Sequence, residues 1–411
     1  MTADEPAFRW RSIALPALLP TLVFAIGEGA ILPVIPLVAD DLGATLAIAG
    51  LVAAALTVGE LLGTLPSGPL ISRIGERGAM IGASGLSILG LLVCLIAASP
   101  WVLGLGVLLI GLATAVFSLA RHAFMTSFVP MRYRARALST LGGTFRLGFF
   151  IGPFLTAGLI QVLGAASWAF WIHIVACVAT VVILLTLRDP ASSFGSVRRV
   201  SASGSPPRAG LFRTIRDRRD VLARMGLGAA LVSALRASRQ VILPLWAVSI
   251  GLDPAATALV IGVAAGLDFA LFYTGGAIMD RFGRLWTAVP AMVGLGAGHL
   301  VLALTHDLSA SATWFTVAAM LLAVANGIGS GILMTLSADL ADPTDPAPFL
   351  GAWRFIGGLG TAGAPLLISA ITGLASLAIA AGTMGALGWL GALVLARYVP
   401  RYAPRKPPPT R

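Results

Sequence analysis

Seven charged side chains lie inside the long apolar runs of this chain: the acids Glu28, Glu60 and Asp268 and the bases Arg146, Arg236, Arg239 and Arg354. A charge in a hydrocarbon environment is costly, so such residues pair with one another, titrate or touch a substrate. Glu28 stands between Gly27 and Gly29, about midway through the first run, with Pro33 and Pro36 after it. A desolvated carboxylate there can bind and release a proton near neutral pH. Glu28 is therefore read as the proton-coupling residue, with Asp268 and Glu60 as alternatives. Arg236, Arg239 and Gln240 fall at i, i+3 and i+4, on one face of a helix. Two guanidinium groups on one face suit a substrate with an anionic or strongly accepting group, although Arg239 is also placed to reach toward the lipid headgroups. Asn326, in the run N-G-I-G-S-G, and Trp246 are read as polar and aromatic substrate contacts. No catalytic residue is assigned, because the chain has no H-E-x-x-H, no G-x-S-x-G, no G-x-x-x-x-G-K and no Cys/His metal spacing. No metal or cofactor is expected; the coupling ion is read as a proton.

Such residues need membrane helices to position them. The 411 residues are 57% hydrophobic and 11% charged, with a mean hydropathy of +0.93, which excludes an ordinary soluble globular fold. A crossing takes about 20 mostly apolar residues. Twelve such runs are centred near Phe24, Leu56, Leu89, Leu112, Pro153, Val178, Leu235, Gly266, Leu295, Val324, Gly363 and Leu387. Membrane helices tolerate the Gly and Pro within them, and nothing alternates as barrel strands do. The stretch from Ile13 to about Ala39 is too long for a signal-peptide core and is read as a retained first crossing. Cys94, Cys177, His173 and His299 are read as packing residues; His122 is left unassigned.

Arginine sets the orientation. Basic residues gather in the two tails and in the turns after the second, fourth, sixth and eighth runs, while the loops near Asp40, Pro100, Gly164, Asp253, Asp307 and Gly373 carry none. By the positive-inside rule both termini are cytoplasmic. The net charge of +11 is thus an orientation signal, and no nucleic acid is expected as a partner. The expected setting is a bacterial cytoplasmic membrane, crossed many times by a monomer whose partners are the bilayer and a small-molecule substrate.

The chain is also a duplication. Gly68 to Arg77 reads G-P-L-I-S-R-I-G-E-R and Gly276 to Arg284 reads G-A-I-M-D-R-F-G-R, and the 208-residue step between them also carries Glu60 onto Asp268, Pro36 onto Pro244, Arg146 onto Arg354 and Gly152 onto Gly360. The predicted units are a first six-helix bundle over 1–187, a cytoplasmic linker over 188–222, a second six-helix bundle over 223–397 and a disordered tail over 398–411. The linker is polar from Ser192 to Ser205 and broken by Pro206 and Pro207. From Leu211 to Leu222 it has the pattern of a short amphipathic helix, with Arg213, Arg216, Arg218 and Arg219 off the apolar side.

Two six-helix halves, a long central loop and a G-x-L-x-D-R-x-G-R type turn after the second and eighth helices resemble the major facilitator superfamily of secondary transporters, over nearly the whole chain. The second turn matches through Gly276, Asp280, Arg281, Gly283 and Arg284; the first keeps Gly68, Leu70, Arg73, Gly75 and Arg77 but has Ser72 where the family usually has Asp and Glu76 where it usually has a basic residue. The resemblance implies an all-α integral membrane fold of twelve transmembrane helices in two pseudo-symmetric bundles. It also gives Arg73, Asp280 and Arg281, with Arg146 and Arg354, as gate or interdomain charges. Gly148, Gly152, Pro153 and Gly158 in helix 5 are similar to the motif of exporters in the superfamily; physically, small residues four apart open a groove and the proline bends the helix. Val107 departs from the drug-exporter subgroup, which usually has an arginine there.

In that fold helices 2 and 11, and 5 and 8, meet between the halves. Matching depths then predict two bridging pairs, Glu60 with Arg354 and Asp268 with Arg146, on the cytoplasmic side. Arg236 is the repeat partner of Glu28 and is an alternative counter-ion for it. The function expected is proton-coupled efflux of a small amphipathic or drug-like compound by alternating access. The alternatives are proton-coupled uptake of a small organic anion and a transporter-like receptor that does not turn over.

Overall fold

A computed structural model describes residues 10–128, 131–187, 211–342 and 347–402. The first half contains α1 (Trp10–Ile31), α2 (Ile35–Asp41), α3 (Leu46–Leu95), α4 (Pro100–Phe128), α5 (Met131–Leu163) and α6 (Ala169–Thr186). A short α7 (Leu211–Asp217) leads into α8 (Arg219–Ser249), α9 (Pro254–Phe282), α10 (Leu285–Thr305), α11 (Ser311–Ile328), α12 (Ile332–Leu340), α13 (Ala347–Leu374) and α14 (Leu377–Tyr402).

Among the described residues, eleven segments, counting α1 with α2 and α11 with α12 as single ones, are long and apolar enough to cross a bilayer. One of them is two crossings. α3 has 50 residues, about 75 Å of helix against a hydrocarbon core of about 30 Å. It folds back at Gly75, whose φ of 76° is open to glycine and disfavoured for other residues. Twelve crossings result, and each of the twelve predicted centres falls in one of them. Gly283, at the second copy of the turn, has φ 96°. The repeat therefore preserves a backbone requirement as well as a spelling.

Two crossings are discontinuous. α1 stops at Ile31 ahead of Pro33, which lacks an N–H, and α2 resumes with Pro36 in its first turn, where no donor is needed. α11 stops at Ile328, Gly331 takes a left-handed φ of 82°, and α12 follows. The first break lies in the first span of its half and the second in the fourth span of the other.

α1 packs on α5 and α6, α3 on α4, and α8 on α13 and α14; the halves meet where α5 crosses α9 and α3 crosses α13. Alternate crossings put the Gly75 and Gly283 turns on one face of the bundle with α7. On the opposite face the halves are fastened together: Ser369 Oγ of α13 donates to the Ala47 carbonyl of α3 at 2.6 Å, and Gly50 is close enough to Leu245 that an added Cβ would lie 3.2 Å from it.

Three boundaries differ from the sequence reading. The helix expected over Leu211 to Leu222 ends at Asp217, and α8 has already begun at Arg219. Asp220 favours that start by opposing the helix dipole, and Leu222, 3% exposed, belongs to the core. Tyr398 to Tyr402, read as tail, are helical, and Tyr402 accepts a 2.7 Å hydrogen bond from Arg224. Ser192 to Ser205, Pro206, Pro207 and residues 403–411 lie outside the described residues.

Candidate functional site

Glu28 is positioned by its neighbours in sequence. Gly27 lies against His173 of α6, and Gly29 against α5, where a Cβ would fall 2.8 Å from the Phe149 Cα. From the other side, Gly148 and Gly152 lie against Ala25, Ile26 and Ala30 of α1, and Thr156 Oγ1 donates to the Ala30 carbonyl at 2.8 Å. The helix 5 run that resembled an exporter motif is thus the groove in which α1 sits. Clamped on both shoulders, α1 turns the Glu28 side chain into the half, where it is 2% exposed. Arg121 of α4, 8% exposed, supplies the opposing charge, and Glu60 of α3 is its acidic neighbour. The Thr114 hydroxyl of α4 lies beside the Glu28 carboxylate, and both are buried. Arg121 also stacks over Phe145, 4.5 Å from the ring centre, and reaches Ser118 Oγ at 3.3 Å.

Asp268 of α9 is the centre of a second cluster. Its Oδ1 accepts from Arg146 Nη1 of the first half at 3.3 Å. Its Oδ2 accepts from Arg239 Nη2 at 3.3 Å and from Asn326 Nδ2 at 2.8 Å. Arg146 also stacks on Phe272, 4.6 Å from the ring centre. Arg236 neighbours Arg146, Asp268 and Arg239, and its Nη2 donates to the Gly329 carbonyl at the break between α11 and α12. Arg236 Nε, Arg239 Nε and Asn326 Oδ1 are buried and unpartnered among the described residues. Arg236, Asn326 and Gly329 border a cavity of about 10 Å³, otherwise lined by apolar side chains of α8, α10, α11 and α12.

Several expected contacts are not made among the described residues. Glu60 and Arg354 form no ion pair: α3 does touch α13, with Leu61 near Gly358, but Glu60 lies on the side facing α4 and Arg121, and Arg354 is exposed. Glu28 faces Arg121 and not Arg236. Gln240 is exposed, although its spacing put it on one face with Arg236 and Arg239. Trp246, 1% exposed, packs edge-on against His306 at 5.0 Å, two turns beyond the arginines and toward the opposite face. Arg73, Asp280 and Arg281 are exposed on the α7 face, and Arg281 stacks over Phe282 at 5.2 Å. The close ion pair on that face is a different one, Arg284 to Asp339 of α12, with Nε at 2.8 Å and Nη2 at 3.2 Å.

Sequence reading missed Arg121 and Asp339. Arg121 stands toward the end of the fourth apolar run, outside the seven charges read as internal, and its charge was the signal that could have marked it; Asp339 carries none, since its partner comes from a distant turn. His173 and His299 are buried packing groups: His173 Nε2 is 2.9 Å from Ser87 Oγ, and His299 Nε2 is 2.8 Å from Ser238 Oγ. Cys94 and Cys177 are buried and free.

Comparison with known proteins places this geometry. A sequence model described as Major Facilitator Superfamily matches residues 17–273 and 225–411. An uncharacterised MFS-type transporter of Mycobacterium tuberculosis strain CDC 1551 is 26% identical over 165 residues, 40% of this chain and 24% of its own length, so the chain spans about a quarter of that relative. The multidrug resistance protein MdtH of Klebsiella pneumoniae strain 342 is 26% identical over 363 residues, covering 83% of this chain and 85% of its own. Among solved structures, a D-xylose-proton symporter superposes with a TM-score of 0.73 at 14% identity, over 96% of this chain and 99% of the other.

Proposed function

The chain belongs to the Major Facilitator Superfamily, a family of membrane transporters and not of enzymes, and on that premise we propose that it is a proton-coupled secondary transporter that exports a small amphipathic organic compound by alternating access. The observation that carries the coupling is Glu28, buried at 2% in a discontinuous first crossing. A buried acid with a cation, Arg121, opposite it and a second acid, Glu60, beside it is arranged to take up and lose a proton as its surroundings change. Movement of the halves would supply that change. The fastening at Ser369 and Ala47 on one face, and the exposed Arg73, Asp280, Arg281 and Arg354 on the other, fit one stage of a cycle in which the α7 face is open. The binding site includes the charged cluster around Asp268, and both termini, with α7, face the cytoplasm of a bacterial cell.

Export is favoured over uptake by the α1–α5 groove, built from the Gly148, Gly152 and Pro153 run, and by the similarity to a multidrug resistance protein over most of its length. The test is internal pH in proteoliposomes holding the purified protein under an imposed proton gradient. Lipophilic cations, neutral drugs and organic anions are added in turn. The expected result is that one class drives protons down their gradient in wild type and not in Glu28→Gln. If no compound moves protons, or Glu28→Gln couples as wild type does, the coupled reading fails.

A further inference from the structure

We propose that the compound carried by this protein bears an anionic group, and that this group binds Arg239 and Arg236 by displacing Asp268, loosening the tie between the halves. The proposal rests on the transporter reading above and names the substrate class of the same site.

The charges around Asp268 do not balance. Three guanidinium groups, Arg146, Arg236 and Arg239, share this one carboxylate, and the other acids of the apolar interior, Glu28 and Glu60, face Arg121 in the first half. Excess positive charge in a poorly solvated interior favours an added anion. The donors are also under-used. Arg236 and Arg239 each have a buried Nε with no acceptor among the described residues, and Nε with an Nη is the edge of arginine that receives a carboxylate, phosphate or sulfonate by two parallel bonds.

The bonds that Asp268 makes are poor for charged partners. Arg146 and Arg239 each hold it at 3.3 Å through one nitrogen, whereas charge-assisted N–H···O contacts usually lie at about 2.7–2.9 Å. The same chain makes a much better pair where it needs a permanent one: Arg284 grips Asp339 with two nitrogens, at 2.8 and 3.2 Å. Asp268 is thus a replaceable occupant. Its Oδ1 partner, Arg146, comes from α5, so an anion that draws Asp268 away from Arg239 also weakens a link between the two halves. Asn326 Nδ2 stays to hold the released carboxylate.

The test uses the full-length protein in nanodiscs and a matched aromatic set: benzoate, benzenesulfonate and phenyl phosphate against neutral benzamide and cationic benzylamine. Thermal stability and the quenching of tryptophan fluorescence are read against concentration up to tens of millimolar. In wild type only the three anions should raise the melting temperature and saturate. Arg239→Gln should weaken them by about tenfold or more, the loss of one charge-assisted contact. Asp268→Asn, which keeps the shape and removes the internal competitor, should tighten them several-fold. This opposite direction separates displacement from damage to the fold. The proposal is overturned if the neutral or cationic compounds act as well as the anions, if Asp268→Asn weakens or leaves unchanged the anion response, or if no anion acts on either protein. Anion binding with no proton movement in proteoliposomes would leave this inference standing and remove the coupled reading; proton movement with cations alone would do the reverse.

Discussion

At the scale of single residues, two buried carboxylates divide the electrostatic tasks. Asp268 is surrounded by donors, so its removal should be costly in a specific way. Asp268→Ala leaves Arg146 and Arg239 without their shared acceptor in a site where Arg146 and Asp268 are 23% and 10% exposed at the side chains, and breaking such a pair costs about 3–5 kcal/mol. Thermal melting in detergent should show that loss. The double variant Arg146→Met with Asp268→Ala should recover about 1–3 kcal/mol of it; additive losses would mean that the contact across the halves carries no coupling. Glu28 was legible from the sequence because a lone acid between two glycines in an apolar run has little reason to be there unless it titrates or pairs. Its counter-ion was not legible: Arg121 becomes a partner only through the packing of α4 beside α1 and α3, which spacing within α4 does not encode. The expected Glu60–Arg354 pair is not made in this arrangement, in which Glu60 faces Arg121. The repeat fixed the depth of both residues but not the rotation of α3, which Gly59, Gly63 and Gly111 set by letting α3 and α4 touch backbone to backbone.

At the scale of elements, nearly all of the fold is readable in the chain itself, since apolar length alone dictates a crossing. Interruptions are harder. Pro33 and Pro36 announce the break after α1, but N-G-I-G-S-G reads as a binding run although its glycines also end α11. There Gly331 adopts a left-handed φ of 82°, which costs an ordinary residue roughly 1–2 kcal/mol. Gly331→Ala should lower stability by about 1 kcal/mol, whereas Gly276→Ala, with nothing near its Cβ position, should not; equal melting curves for the two would show that the break is not strained by a side chain. α12 is fastened at its far end by Arg284 and Asp339, and the turn ahead of it by the Arg236 contact to Gly329. The α5 groove is less forgiving. Gly152→Val would drive a side chain into the Ile26 carbonyl and the Ala30 nitrogen, and a loss above about 2 kcal/mol, or failure to accumulate in the membrane, is expected.

At the scale of the whole molecule, the halves are fastened at the Ser369–Ala47 face, and the proposed cycle requires them to part there. A cysteine pair at Ala47 and Ser369 tests this directly, because Ser369 Oγ already reaches the Ala47 carbonyl at 2.6 Å and the native Cys94 and Cys177 are buried. Oxidation should stop turnover in proteoliposomes while leaving anion binding from the α7 face intact, and reduction should restore transport; unimpaired turnover by the oxidised protein would exclude separation at that face. Arg73, Asp280, Arg281 and Arg354, exposed on the opposite face, would be drawn together in the proposed cycle when that face closes. Gly27 and Gly29, pressed against α6 and α5, also limit how such a chain can change by descent. A lineage can rewrite the chemistry at position 28 with one substitution, but it cannot slide the acid one place along α1, because either shoulder admits only hydrogen. Descendants that abandon the carboxylate would therefore keep its address, and the fossil of the site would be two glycines around an altered residue.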